Sequence, residues 1–338
     1  MKLKFHPFDL KLRHTFNINH GSRDVQPTLV VELQEGACKG YGEAAANNYY
    51  NVSVKKMMED IEHCREIIET SDLHDPEILW AVLNEKLEGN SFALCAVDIA
   101  AHDLFGKIQK QPLYNLWNLD VNHLPLTNYT IGIDSIENMV AKMQEVPWPL
   151  YKIKLGTPDD LKIVKELRKH TTALFRVDAN GAWGVEETIN NAMALKKLNV
   201  EFIEQPLQAA DIEGMKEVFN FSVLPIIADE SCIGEKDVEK CHNRFHGINI
   251  KLTKCGGLTP ARRMIAEAKR LGIAVMVGCM TESTIGISAV AQLLPLLDYV
   301  DMDGPLLLEN DIATGVKLDM GKVIFSEENG IGANLLDS

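Results

Sequence analysis

The chain opens in a period of two. Apolar and polar residues alternate over 5–13 (Phe-His-Pro-Phe-Asp-Leu-Lys-Leu-Arg), and 27–33 is apolar and partly β-branched, so both stretches predict strands. Gly36 to Gly42 supply a turn into a third strand. The period then lengthens, and 53–70, 76–88 and 91–109 predict helices. Strands followed by helices indicate an α+β unit. Its boundary falls at 119–125. From 126 onward, short apolar strands alternate with helical stretches. Strands are expected at 126–132, 150–155, 173–178, 200–204, 225–229, 247–251, 273–278 and 298–302. Eight such repeats suggest a (β/α)8-type barrel, although a doubly wound sheet has the same spacing. Residues 311–338 follow with turns and short strands that return toward the first unit.

Composition narrows the function classes. The chain has 338 residues, 46% of them hydrophobic and 24% charged, which is ordinary for a globular protein. A net charge of −14 repels phosphate backbones and anionic membranes, so neither nucleic acid nor a membrane surface is an expected partner. Seven dispersed cysteines without a CxxC predict free thiols in a reducing compartment. Residues 1–13 carry no leader-like apolar run, and the most apolar stretch, 287–297, is interrupted by Gln292 and Pro295. A cytoplasmic protein is expected.

The candidate chemistry lies on the polar positions of the later strands. Residues two apart on a strand share a face. In Tyr151-Lys152-Ile153-Lys154-Leu155 both lysines therefore share one face, either a solvated edge or the interior of a barrel mouth. Burial would lower a lysine pKa and make it a competent base. Asp178, Glu204 and Asp229 each end a predicted strand, one βα unit apart. Singly, such a residue could cap a helix. Three in register point to oxygen ligands for a hard cation, Mg²⁺, with positions left open for substrate. Lys251 follows on the sixth strand, sharing a polar face with Asn249, and faces the second strand across a barrel of eight. Lys254 has weaker parity and is expected in the loop. On the eighth strand Asp301 and Asp303 share a face with no cation nearby in sequence. They either point to water or receive an ammonium group.

These parts suit one chemistry. A carboxylate-bearing substrate on the metal has a weakly acidic α-hydrogen. Its removal gives an enediolate, which metal and lysine cations stabilise more than the ground state. One neutral lysine takes the proton and the opposite ammonium returns one. The product is an epimer, or an elimination product if the β-carbon carries a leaving group.

The set Lys152-x-Lys154, Asp178, Glu204, Asp229 and Lys251 resembles the enolase superfamily, muconate-lactonizing-enzyme subgroup. Gly40-Tyr41-Gly42-Glu43-Ala44 and the stretch from Ala96 to Leu104 resemble its N-terminal domain. The resemblance implies an α/β fold: a modified (β/α)7β TIM barrel over 121–310, with an α+β capping domain over 1–120 completed by about 311–338. It implies one Mg²⁺ per subunit on Asp178, Glu204 and Asp229, catalytic Lys154, Lys251 and Lys152, and room for a homo-oligomer. The Asp301-Met302-Asp303 element resembles the dipeptide epimerases, where the acidic pair receives the substrate ammonium; Thr130, Cys279, Thr281 and Lys152 match positions lining that pocket. The implied substrates are L-Ala-D-Glu and L-Ala-L-Glu, serving reuse of cell-wall peptides. Phe16 to Arg23 reads as a lid loop. Arg23 is a candidate clamp for a glutamate side chain, or simply a surface arginine, and His20, Tyr49 and Tyr50 are further candidate lining residues. The alternatives are another dipeptide class, o-succinylbenzoate synthesis, N-acylamino-acid racemisation, or a barrel that binds peptide or metal without turnover.

Overall fold

The computed structural model describes residues 1–18 and 21–336. Three antiparallel strands begin the chain in the order β1 (Lys2–Ile18), β2 (Gly21–Glu35), β3 (Cys38–Ala45). The stretch expected as a lid loop is instead the end of the β1–β2 hairpin, with Phe16 paired to Arg23 and Asn17 to Ser22 beyond a register shift. The Asn and Gly residues there suggested a loop, but Asn17 and Gly21 sit in an extended ladder. His20 lies outside the described residues.

Helices Val54–His63, Arg65–Thr70, Pro76–Lys86 and Ser91–Gln109 follow. Side chains of Ser53, Asp75 and Asn90 cap the first, third and fourth by accepting backbone N–H groups. The expected single helix over 53–70 is divided at Cys64, whose backbone leaves the helical region. Ser91–Gln109 is buried along nearly its whole length because β3 covers one side and barrel helices another. Its approach to β3 is close. A β-carbon on Gly42 would lie 2.1 Å from the Ala96 carbonyl oxygen and 2.5 Å from the Ala100 nitrogen. Gly42→Ala is therefore expected to destabilise the protein by about 3 kcal/mol. An unchanged thermal midpoint would refute this packing.

The second body is a sheet of eight parallel strands in sequential order: β4 (Tyr129–Ile131), β5 (Leu150–Lys154), β6 (Leu174–Asp178), β7 (Val200–Glu204), β8 (Ile226–Ala228), β9 (Gly247–Lys251), β10 (Ala274–Gly278) and β11 (Tyr299–Asp301). A parallel bridge between Thr127 and Val300 joins its two ends, so the sheet is a barrel and not an open doubly wound sheet. α-Helices follow β4 to β10. After β11 there is only the short 3-10 turn Gly304–Leu307, so counting toward eight helices overshoots. Pro305 sits in the first turn of that 3-10 element, and the chain then turns to the cap: Leu308 bridges to Leu12, and Glu309 N–H donates to the Lys11 carbonyl.

Two buried carboxylates of the first body clamp the second. Glu43 accepts from Ser283 and Gly286 at the start of helix Thr284–Ala291. Asp98 accepts from the Thr259 amide and hydroxyl at the start of Leu258–Leu271. Negative charge at a helix N-terminus is favourable, and each clamp also satisfies otherwise bare N–H groups. Asp103 accepts from Tyr41 and from Ile331 of the tail. The tail also donates Val316 N–H to Ser288 of the barrel, so it touches both bodies. The apolar run at 287–297 is buried packing, and no helix among the described residues is long and apolar enough to cross a membrane. All seven cysteines are free thiols.

Candidate active site

The lysines of β5 are interior. Lys152 is 1% exposed, which rules out a solvated edge, whereas Ile153 packs outward into the helical layer. Lys152 Nζ lies 2.8 Å from Asp301, 2.8 Å from Glu204 and 3.2 Å from Asp178. Lys154 Nζ lies 2.6 Å from Asp178, its register partner on β6. On the opposite wall Lys251 Nζ donates to Asp229 Oδ2 at 2.8 Å.

Asp178, Glu204 and Asp229 bring three ligand oxygens within 4.8 Å of one another, all buried. Burial and the neighbouring Asp178 charge raise the Glu204 carboxyl to about 7. Burial also opposes ionisation of Asp229, yet Lys251 and Lys254 outweigh it and hold that carboxyl well below its usual range. Such an all-oxygen cluster fits a hard divalent cation. The fit is supported by Glu204 Oε2, which is buried and has no partner in hydrogen-bonding geometry despite the nearby Lys152 ammonium. The lysines themselves depart from expectation. Burial works to lower Lys152 and Lys251, but facing carboxylates dominate and raise both, Lys152 through Asp301, Glu204 and Asp178, Lys251 chiefly through Asp229.

Across the mouth, Asp301 does have a cation nearby, contrary to the reading from sequence. Lys152 binds its Oδ2, and Asn128 donates to Oδ1 at 2.7 Å. Burial disfavours the Asp301 charge, but Lys152 holds its pKa down at about 2. Asp303 accepts the backbone N–H of Thr130 and forms no ion pair with a lysine among the described residues; burial and then the Asp301 charge push it up to about 7. The Cys279 sulfur lies within 4.8 Å of ligand oxygens of both aspartates. A cavity of about 290 Å³ joins these parts, reached by Lys154, Lys251, Asp303, Thr281 and, from the cap, Arg23 and Tyr50. Thr130, Lys152, Asp301, Cys279 and the largely exposed Tyr49 also border it.

Comparison with known proteins matches this geometry to one family. Residues 135–338 match the family described as enolase C-terminal domain-like, and residues 5–117 match the mandelate racemase/muconate lactonizing enzyme N-terminal domain. The chain belongs to the enolase superfamily. Its β11 without a following α-helix and its antiparallel cap are that superfamily's barrel and capping domain. One curated relative, an L-Ala-D/L-amino acid epimerase of Flavobacterium johnsoniae, is 60% identical, covering 99% of this chain and 100% of the relative. A substrate-liganded L-Ala-D/L-Glu epimerase from Bacillus subtilis superposes with a TM-score of 0.93 at 26% identity, covering 98% and 99% of the two chains. A dipeptide epimerase from Cytophaga hutchinsonii, complexed with Mg and D-Ala-L-Val, does so at 0.93 and 25%, covering 99% and 95%.

Within this superfamily site some residues were not legible beforehand. Lys254 is not in a loop. It lies within helix Leu252–Cys255, buried, and its Nζ donates to Asp229 Oδ1 and to the Asp229 carbonyl, both at 2.6 Å. The signal was its spacing of three from Lys251. When a strand runs directly into a helix, that spacing brings both ammonium groups to one carboxylate. Asn249 donates to Glu204 at 2.8 Å, and Asn180 lies 3.5 Å from Lys154 and donates to Glu230. These three contact Asp229, Glu204 and Lys154 respectively.

Proposed function

We propose that this protein is a Mg²⁺-dependent dipeptide epimerase, an isomerase that inverts the α-carbon of the C-terminal residue, with L-Ala-D-Glu and L-Ala-L-Glu as its preferred pair. The observation that carries the reading is the placement of Lys154 and Lys251 on opposite walls, with three clustered carboxylates between them. A magnesium ion held by Asp178, Glu204 and Asp229 would stabilise the negative charge that grows on the substrate carboxylate as the α-proton leaves. Neutral Lys154 removes the proton from one face, and the Lys251 ammonium delivers one to the other; the roles reverse for the opposite epimer. Lys152 is the positioning cation, neutralising Asp178, Glu204 and Asp301 together. Asp301 and Asp303 receive the substrate ammonium, with Thr130, Cys279 and Thr281 lining that end. Arg23 holds the glutamate side chain from a cap formed by 1–120 and the tail from about 311. In the cell the activity would serve reuse of cell-wall peptides in the cytoplasm, with no nucleic-acid or membrane partner.

The deciding test is mass spectrometry of a dipeptide library in D₂O with Mg²⁺. A gain of one mass unit in dipeptides, greatest with L-Ala-D/L-Glu, is expected. Binding without exchange would reduce the protein to a peptide-binding barrel. Asp303→Asn should raise KM for dipeptides about 10- to 100-fold, because a charged hydrogen-bond acceptor is lost. A gain on N-acylated substrates in the same variant would move the assignment to N-acylamino-acid racemase or o-succinylbenzoate synthase.

A further inference from the structure

Gln26 is 1% exposed on β2, at the wall of the cavity. Its amide has one available orientation. Nε2 donates to the Pro27 carbonyl and to the Ala46 carbonyl, each at 2.8 Å, so both protons are engaged with backbone acceptors. Flipping the amide would set oxygen against those carbonyls. Oε1 is thereby aimed at Arg23, from whose Nη1 it accepts a hydrogen bond. Arg23 is the cap's guanidinium in the cavity. Burial lowers its pKa, and no carboxylate among the described residues acts on it in the other direction. A half-buried cation hydrogen-bonded to a neutral acceptor keeps its charge available to a ligand. A carboxylate in the same place would consume that charge.

We infer that Gln26 is a specificity-determining positioning residue, a neutral anchor that fixes Arg23 toward the substrate side chain and makes the site prefer an acidic C-terminal residue. The inference rests on the dipeptide reading above. It concerns which dipeptides are favoured, not the proton transfer itself.

The test compares kcat/KM for L-Ala-L-Glu with that for L-Ala-L-Gln, two substrates of nearly the same shape. Their ratio is measured in the unaltered protein and in Gln26→Glu, Gln26→Met and Arg23→Met. Gln26→Glu should lower the ratio about 10- to 100-fold, as far as Arg23→Met does, and adding Gln26→Met to Arg23→Met should lower it no further than Arg23→Met alone. Gln26→Met, which leaves Arg23 charged but unanchored, should lower it less than Gln26→Glu. A purely structural role for Gln26 would depress both substrates together and leave the ratio unmoved. The turnover of L-Ala-L-Gln reports whether each variant is folded. If Arg23→Met collapses the ratio while both Gln26 variants keep it, the inference falls and the dipeptide reading stands. A ratio unmoved by Arg23→Met overturns the clamp and the anchor together. Absence of exchange in either dipeptide with the unaltered protein overturns the underlying reading.

Discussion

Lys154→Ala and Lys251→Ala should each lose epimerisation by about 10³-fold or more, the range expected when a positioned general acid or base is removed. The two losses should differ in kind from an unfolded protein. Each variant retains one base, so each should still wash deuterium into the one epimer whose α-hydrogen faces the remaining lysine, without inversion. Lys154→Ala keeps the Lys251 side and Lys251→Ala the Lys154 side. The local charge balance permits both variants to fold. Asp178 keeps Lys152 at 3.2 Å when Lys154 is gone, and Asp229 keeps Lys254 at 2.6 Å when Lys251 is gone. The measurement is separate rates of deuterium uptake and of optical inversion for each epimer. Inversion within tenfold of the unaltered protein in either variant would end the two-base mechanism.

Asp229→Asn should weaken divalent-cation binding at least about 100-fold, since even residues that merely support ligands cost 10- to 100-fold. A second consequence follows from the lysines that Asp229 holds. This carboxylate is the partner of two buried ammonium groups, Lys251 and Lys254. The amide would leave both facing a neutral group. Removing one partner of a buried ion pair costs about 3–5 kcal/mol. The variant should therefore unfold at a lower temperature even in chelator, where cation binding contributes nothing to either protein. Mn²⁺ binding followed by electron paramagnetic resonance, with thermal unfolding in EDTA, checks both effects. Cation affinity within threefold of the unaltered protein would remove Asp229 from the ligand set, and an unchanged midpoint would show that its lysines lose nothing.

Much of the site could be read from local pattern. Lys152 and Lys154 share a face because a strand alternates, and Asp178, Glu204 and Asp229 share a rim because each ends a strand one βα unit after the last. Alternation and repeat length are properties of neighbouring residues, and the barrel preserved both. The misreadings occur where local pattern has two outcomes. Phe16 to Arg23 holds loop-forming residues, but pairing across the hairpin keeps 16–18 and 21–23 extended. Lys254 sits where a strand passes straight into a helix, a junction that alternation does not describe. The eighth repeat lacks its helix because the chain after β11 is drawn to β1 of the cap.

Periodicity within a short window was enough to give the two-part architecture, the eight strand positions, the carboxylate triad and the opposed lysines. Only the tertiary structure decided which charges meet. Closure of the barrel carries Asp301 to Lys152, 2.8 Å apart across 149 positions of chain, and so supplies the cation that the aspartate pair lacked on paper. Folding of the cap over the mouth sets Arg23 and its Gln26 anchor beside the cavity. The physical reason is that a buried charge is stabilised by whatever opposite charge lies within a few ångströms, and that neighbour is chosen by how distant segments pack.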